Sequence, residues 1–190
     1  MTSAEKTRPG CLVLVVGPSG SGKDTLIRAA RARLGADNQF LFVRRVITRG
    51  TDAHEEHEFV TDEVFASRED RGEFSLSWSA HGLQYGAPRS IDDAIADGKT
   101  AICNVSRTVI DVARSRYSHV VVVEVAAPVE VLVSRLSKRA RETVEDQANR
   151  LLRSMQIPIT SDVRIENTGS VEQAAALLVA AIERASRGCR

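Results

Sequence analysis

The chain of 190 residues has almost no charge imbalance and no long apolar run. Lys and Arg number 26 against 25 Asp and Glu, a formal net charge of +1. A large nucleic-acid footprint needs a strong basic excess on some face, so no nucleic-acid partner is expected. A small basic pocket for a phosphorylated metabolite stays open. The early apolar stretch, residues 11–16, runs straight into Gly17 and Pro18, far short of the roughly 20 residues that span a bilayer, so no membrane partner is expected either. The first ten residues are polar and lack the apolar core of a secretory signal. Cysteine is scarce. Cys11, Cys103 and Cys189 lie far apart and form neither a C-x-x-C pair nor a zinc spacing. Buried or idle thiols in a reducing, cytoplasmic compartment are the expectation. Internal repeats, low-complexity tracts and a convincing linker are also missing. At 43% apolar and 27% charged residues the chain is globular, and its length fits one domain with a core that needs no disulfide or metal.

What is present is an alternation of β-branched runs and helical patterns. Residues 12–16 are wholly apolar, the signature of a buried parallel strand. In 23–34, Leu26, Ile27, Ala30 and Leu34 share one helical face, and Gly35 ends it. Residues 40–47 read as one strand, 61–68 as a short helix with Thr61 as N-cap, and 74–78 as a half-buried strand. Ser90 is placed to cap a helix through Asp97, stopped by Gly98. Strands are expected at 100–105, 120–125 and 163–166, with helices to about Tyr117, from Pro128 to about Lys138, and over 144–155. A final helix carries Val171, Ala175, Leu178 and Ile182 on one face. This order predicts an α/β fold with a parallel sheet covered on both sides.

Gly17-Pro18-Ser19-Gly20-Ser21-Gly22-Lys23 fits the phosphate-loop pattern G-x-x-x-x-G-K. Glycines let several backbone N–H groups approach phosphate oxygens, the following helix points its positive end at the anion, and Lys23 reaches the β- and γ-phosphates. Three fixed positions recur by chance in roughly 6% of chains this long, so the context carries the argument. The motif directly follows an apolar strand and precedes an amphipathic helix. Asp24 stands where the pattern expects the Ser or Thr that serves magnesium, and Thr25 follows; either is a candidate metal residue. At the end of the 100–105 strand Asn104 sits where an acidic magnesium residue would be sought.

The stretches 17–25, Ile47-Thr48-Arg49, Trp78…Gly82…Tyr85-Gly86 and 135–141 occur in one order that resembles the guanylate-kinase-like branch of the P-loop kinases, over nearly the whole chain. The wording of 17–25 and of 76–86 is closer to the ribose 1,5-bisphosphate phosphokinase family, where Asp after the loop lysine is expected. The resemblance implies a P-loop-type parallel sheet flanked by helices, a small acceptor-binding insertion at about 48–88 and a lid at about 135–145. It also implies ATP as donor, Mg2+, and ribose 1,5-bisphosphate converted to 5-phosphoribosyl 1-diphosphate in phosphonate breakdown. A small phosphorylated sugar is then the partner; a homo-oligomer stays open. Guanylate kinases read their base with two carboxylates. The matching positions here are Ser77 and Ser106, which counts against the alternative of a nucleoside-monophosphate kinase. A third alternative, a non-catalytic binding module, usually lacks the loop lysine or the lid arginines.

On this reading Gly17 through Thr25 bind the donor, and Lys23, Arg49, Arg139 and Arg141 carry the transfer. Arg135 and Arg150 are further lid candidates. Arg49 suits an acceptor phosphate through its planar fork. Arg45 or Arg44 adds to it, only one of them facing the site if the strand alternates. Glu55 and His57 belong to a loop that either lines the acceptor or is simply exposed. Tyr85 either hydrogen-bonds the acceptor phosphate or is a half-buried tyrosine. Asn167-Thr168-Gly169 either lines an adenine or makes a strand-to-helix turn with Ser170 as cap. Trp78 is core or pocket wall.

Overall fold

The computed structural model describes residues 9–50, 56–80, 82–137 and 160–189. A five-stranded, wholly parallel sheet forms the centre. It is built from β1 (Cys11–Val16), β2 (Phe40–Phe42), β7 (Thr100–Asn104), β8 (Val120–Ala126) and β9 (Val163–Glu166), in the order β2-β7-β1-β8-β9. Both faces are covered, which is why β1 is apolar at all six positions. Cys11, Val13 and Val15 face one core with α1 (Lys23–Leu34) and the terminal helix α6 (Val171–Gly188). Leu12, Leu14 and Val16 face the other, with α3 (Ser90–Ala96) and α4 (Ile110–Arg116). Each such fully buried side chain is worth about 1.5–3 kcal/mol.

A second, mixed sheet carries β3 (Arg45–Ile47), β4 (His57–Phe59), β5 (Phe74–Ala80) and β6 (Leu83–Pro88), ordered β4-β3-β6-β5. The helix α2 (Asp62–Asp70) sends Phe65 against Phe74 beneath it, ring centroids 4.7 Å apart. The remaining helix, α5 (Val129–Ser137), follows β8. Among the described residues no helix is long and apolar enough to cross a membrane.

Several expectations need correction. The strand expected over 40–47 is two strands in two sheets. Phe42 ends the first, Val43 donates its N–H to the Ile102 carbonyl at 2.9 Å, and the chain leaves the central sheet at Arg44. A short apolar run cannot reveal such a change of sheet. Strands β4 and β6 were not anticipated as strands. Ser90 is the first residue of its helix, not its cap, and Arg89 holds the cap position without a side-chain bond. Pro128 lies one residue before α5, its carbonyl accepting from Leu132 N–H at 3.0 Å. Val171 is exposed; the buried stripe of α6 is Ala174, Ala175, Leu178, Ala181, Ile182 and Ala185. Thr61 and Ser170 cap as expected, accepting from Val64 and Gln173 N–H. The helix expected over 144–155 lies outside the described residues.

Candidate active site

The loop from Gly17 to Gly22 leaves β1 and enters α1. Gly17, Gly20 and Gly22 have φ of 146°, 81° and 93°. Two of them are also sterically compelled. A Cβ on Gly17 would lie 2.2 Å from the Val125 carbonyl oxygen, and one on Gly22 would lie 2.4 Å from Asn167 Nδ2. The loop is therefore pressed against the ends of β8 and β9. No side chain caps α1, so its first N–H groups, which lack intrahelical acceptors, point their positive end across the loop. Lys23 Nζ donates to the carbonyls of Gly17 at 2.8 Å and Pro18 at 3.0 Å, placing the ammonium over the loop. Ser21 is fully buried, and its Oγ has no hydrogen-bond partner among the described residues. A buried hydroxyl without a partner is costly. Together with the glycine cradle and the uncapped helix end, it fits a polyphosphate.

The back of the loop is held from two other elements. Asn167, just after β9 and nearly buried, donates through Nδ2 to the Ser21 carbonyl at 2.7 Å. Arg135, on α5, donates to the Asn167 carbonyl at 3.0 Å and reaches those of Gly20 and Ser21 at 3.4 and 3.5 Å. Asn167 thus supports the phosphate loop, and it opens the strand-to-helix turn capped by Ser170 that was one of the two sequence readings. Its amide is drawn inward by a loop carbonyl that would otherwise be buried without a donor.

At the first turn of α1, Asp24 Oδ1 accepts from Asn104 Nδ2 at 2.7 Å and from Arg45 Nη2 at 3.4 Å. The tips of β7 and β3 therefore meet the phosphate loop at one carboxylate. Among the described residues no group of three or more His, Cys, Asp or Glu could hold a metal by itself. Magnesium typically takes one or two protein oxygens and completes its shell with water and substrate phosphates, so Asp24 and Thr25 suffice in kind.

Beyond Asp24 opens a shallow, solvent-open cleft, bounded by α1, residues 42–45, Glu56 and Asn104. Among the described residues four arginines line it: Arg28, Arg31, Arg44 and Arg45. Both Arg44 and Arg45 face it, contrary to the expectation that only one would, because the chain changes sheets there rather than alternating. Arg44 Nη2 donates to the His57 carbonyl at 3.0 Å. Arg31 pairs with Glu56 and donates to the Phe42 carbonyl at 3.1 Å.

Other acceptor residues read from the sequence are placed differently. Arg49, half-buried just past β3, does not line this cleft, and its carbonyl accepts from His57 Nε2 at 2.9 Å. His57 is not in a loop. It is a fully buried residue of β4, because its ring is needed to satisfy that carbonyl. Tyr85 is nearly buried and stacks on Trp78, centroids 5.4 Å apart and planes 6° from parallel. Ser77 is exposed and donates to Glu69 at 2.5 Å, while Ser106 caps the turn at Arg107–Val109. Glu55, Arg139, Arg141 and Arg150 lie outside the described residues. Sequence reasoning missed Arg28 and Arg31 and gave Asn104 no role. The spacing of Asp24, Arg28 and Arg31, four then three residues, puts them on one helix stripe and was the available signal.

The fold is of the guanylate-kinase-like class, with a phosphate loop after its first strand. The chain superposes on guanylate kinase from Anaplasma phagocytophilum with a TM-score of 0.71 at 19% identity, covering 97% of this chain and 90% of that one. A gluconokinase from Sinorhizobium meliloti gives 0.54 at 18% identity, covering 95% of each. No family model matches the chain. Curated sequences resolve the class further. The chain is 47% identical over 172 residues to the ribose 1,5-bisphosphate phosphokinase PhnN of Methylobacterium radiotolerans, covering 90% of this chain and 97% of that protein. It is 50% identical over 161 residues to that of Rhodopseudomonas palustris, covering 85% and 82%. The chain belongs to the ribose 1,5-bisphosphate phosphokinase PhnN family.

Proposed function

We propose that this chain transfers the γ-phosphoryl group of ATP, with magnesium, to the 1-phosphate of ribose 1,5-bisphosphate, giving 5-phosphoribosyl 1-diphosphate and ADP. The observation that carries this is the arginine-lined cleft that opens beside the phosphate loop at Asp24. A second anion can be brought there against the donor phosphates.

The attacking group is a 1-phosphate oxygen, already ionised at neutral pH, so no strong general base is needed. The bond from that oxygen to the γ-phosphorus forms as the bond from the γ-phosphorus to the β,γ-bridging oxygen breaks, and ADP leaves. Catalysis is then positioning and charge stabilisation. The backbone N–H groups of the loop and first helical turn, Pro18 excepted, hold the donor, and Lys23 exchanges its carbonyl contacts for phosphate oxygens. Asp24 or Thr25 serves magnesium, which when bound offsets charge on the donor phosphates. Arg45 steers the acceptor from the cleft wall; Arg49, His57 and Tyr85 act on the acceptor side from outside that wall, and Glu55 is a further acceptor-side residue. His57 acts there by holding the Arg49 backbone. Arg139 and Arg141 belong to a lid over about 135–145 that closes on the transferring group. ATP use and buried thiols suit a cytoplasmic enzyme.

Side-by-side coupled assays of ADP release, with ribose 1,5-bisphosphate and with GMP, test this. Turnover of the bisphosphate far above GMP is the expected result, since Ser77 and Ser106 offer no carboxylate to a guanine. Equal or better turnover of GMP overturns the substrate and leaves the fold standing.

A further inference from the structure

The stripe Asp24, Arg28, Arg31 starts at the transfer site and runs away from it along α1. At 1.5 Å rise per residue, Arg28 lies about 6 Å and Arg31 about 10 Å beyond Asp24 along the helix axis. Across the cleft stand Arg44 and Arg45. Among the described residues, four guanidinium groups stand against the carboxylates of Asp24 and Glu56, an excess of two positive charges. A fold does not need that excess.

Three of the four have structural work. Arg45 holds Asp24, Arg44 holds the His57 carbonyl, and Arg31 is fixed by Glu56 and the Phe42 carbonyl. Arg28 is different. It is exposed, lines the cleft, and has no hydrogen bond or ion pair among the described residues. An acceptor whose reacting phosphate sits near Asp24 and Arg45 must send the rest of its length along this cleft. A second phosphate at its far end would meet Arg28 first and the pre-positioned Arg31 next. Guanidinium forks suit such a dianion bidentately.

Building on the kinase reading above, we propose that Arg28 and Arg31 form the subsite for the acceptor's non-reacting phosphate, and so set the preference for a sugar bisphosphate over a sugar monophosphate. The reacting phosphate is held elsewhere, at the Asp24 end. Discrimination therefore resides in a helix face a turn or two from the chemistry.

The test is isothermal titration of the full-length wild type, Arg28→Ala and Arg28→Lys with three probes: ribose 1,5-bisphosphate, ribose 1-phosphate and ribose 5-phosphate. Thermal melting confirms that each variant is folded, as an exposed position should allow. The affinity ratio of bisphosphate to ribose 1-phosphate should fall about tenfold or more in Arg28→Ala, as loss of a charge-assisted hydrogen bond implies. Ribose 5-phosphate should weaken alongside the bisphosphate, and Arg28→Lys should recover part of the ratio. An unchanged ratio, or a wild type in which ribose 5-phosphate fails to compete with the bisphosphate, overturns the subsite. Failure of the wild type to phosphorylate the bisphosphate at all would instead remove the kinase reading on which the subsite rests.

Discussion

The donor and acceptor halves of the site are built in opposite ways. The donor half is one uninterrupted stretch, residues 17–25, set between a strand and a helix that follow each other in the chain. The acceptor half is assembled from the side of α1, the change of sheet at 42–45, Glu56 after the stretch 51–55, and the tip of β7. A polyphosphate is gripped mostly by main-chain amides, and a continuous loop supplies them in series. A sugar phosphate has to be recognised by side chains that converge from several directions. On the proposed reading, the difference teaches that the donor half belongs to the fold class, while selectivity is set where distant segments meet. Among the described residues Asp24 is the one shared, tied by Asn104 and Arg45 into both halves.

The sharpest way to break that division is Lys23→Ala. Removing the ammonium proposed to meet the donor phosphates should lower kcat with ribose 1,5-bisphosphate by about 10²–10³-fold, the scale seen when a preorganised charge-stabilising donor is deleted. ADP release in a coupled assay reads it. Phosphate transfer left unaltered would dismiss this loop as the donor site. Next in size is Asn167→Ala, which strips the Ser21 carbonyl of a 2.7 Å bond and loosens the back of the loop. KM for ATP should rise about five- to tenfold with KM for the acceptor little changed, as loss of one buried hydrogen bond implies. Equal rises in both would mean that the halves are not separable.

That separability also decides what could be read in advance. The central sheet, α1 and the loop were legible because their signals are local: a six-residue apolar run, a glycine spacing, a 3.6-residue stripe. Strand β9 at Val163–Glu166 was found to the residue for the same reason. The acceptor side was not. Residues 40–47 look like one strand because apolar content does not say which sheet a residue joins. His57 looks like loop because its burial depends on the Arg49 carbonyl eight residues earlier. Asn104 carried no signal because its partner, Asp24, is 80 residues away. Arg49 fits a phosphate by its planar fork and Tyr85 by its place in the family's motif, yet the structure puts neither on the cleft wall, because β3 and β6 turn them toward the second sheet's own packing.

Arg45→Ala probes the junction itself. Arg45 touches Asp24 at the boundary and faces the acceptor cleft. KM for ribose 1,5-bisphosphate should rise about fivefold, with a smaller rise for ATP, since a partly exposed contact at 3.4 Å is weaker than a buried one. Steady-state kinetics with each substrate varied in turn separates the two. A rise for ATP alone would move Arg45 wholly into the donor half.

The smallest effect expected concerns the scaffold and not the site. Asp92 on α3 accepts from Tyr117 Oη at 2.6 Å and pairs with Arg116 at 2.8 Å, tying α3 to the end of α4. Partial burial works to raise its pKa, but the Tyr117 and Arg116 bonds outweigh it and hold the carboxyl below its ordinary value of 3.8. Because the folded value is the depressed one, the pair contributes stability above the unfolded pKa and loses it as pH falls through the folded one. The melting temperature of the wild type should therefore decline below about pH 4, and Asp92→Asn should flatten that decline while melting slightly lower at neutral pH. Kinetic constants measured at neutral pH should not move, because neither helix contributes a residue to the loop or to the cleft lining. A change in KM for either substrate would show that the helices covering the second core set the geometry of the site, and the division between scaffold and site would have to be redrawn around α3.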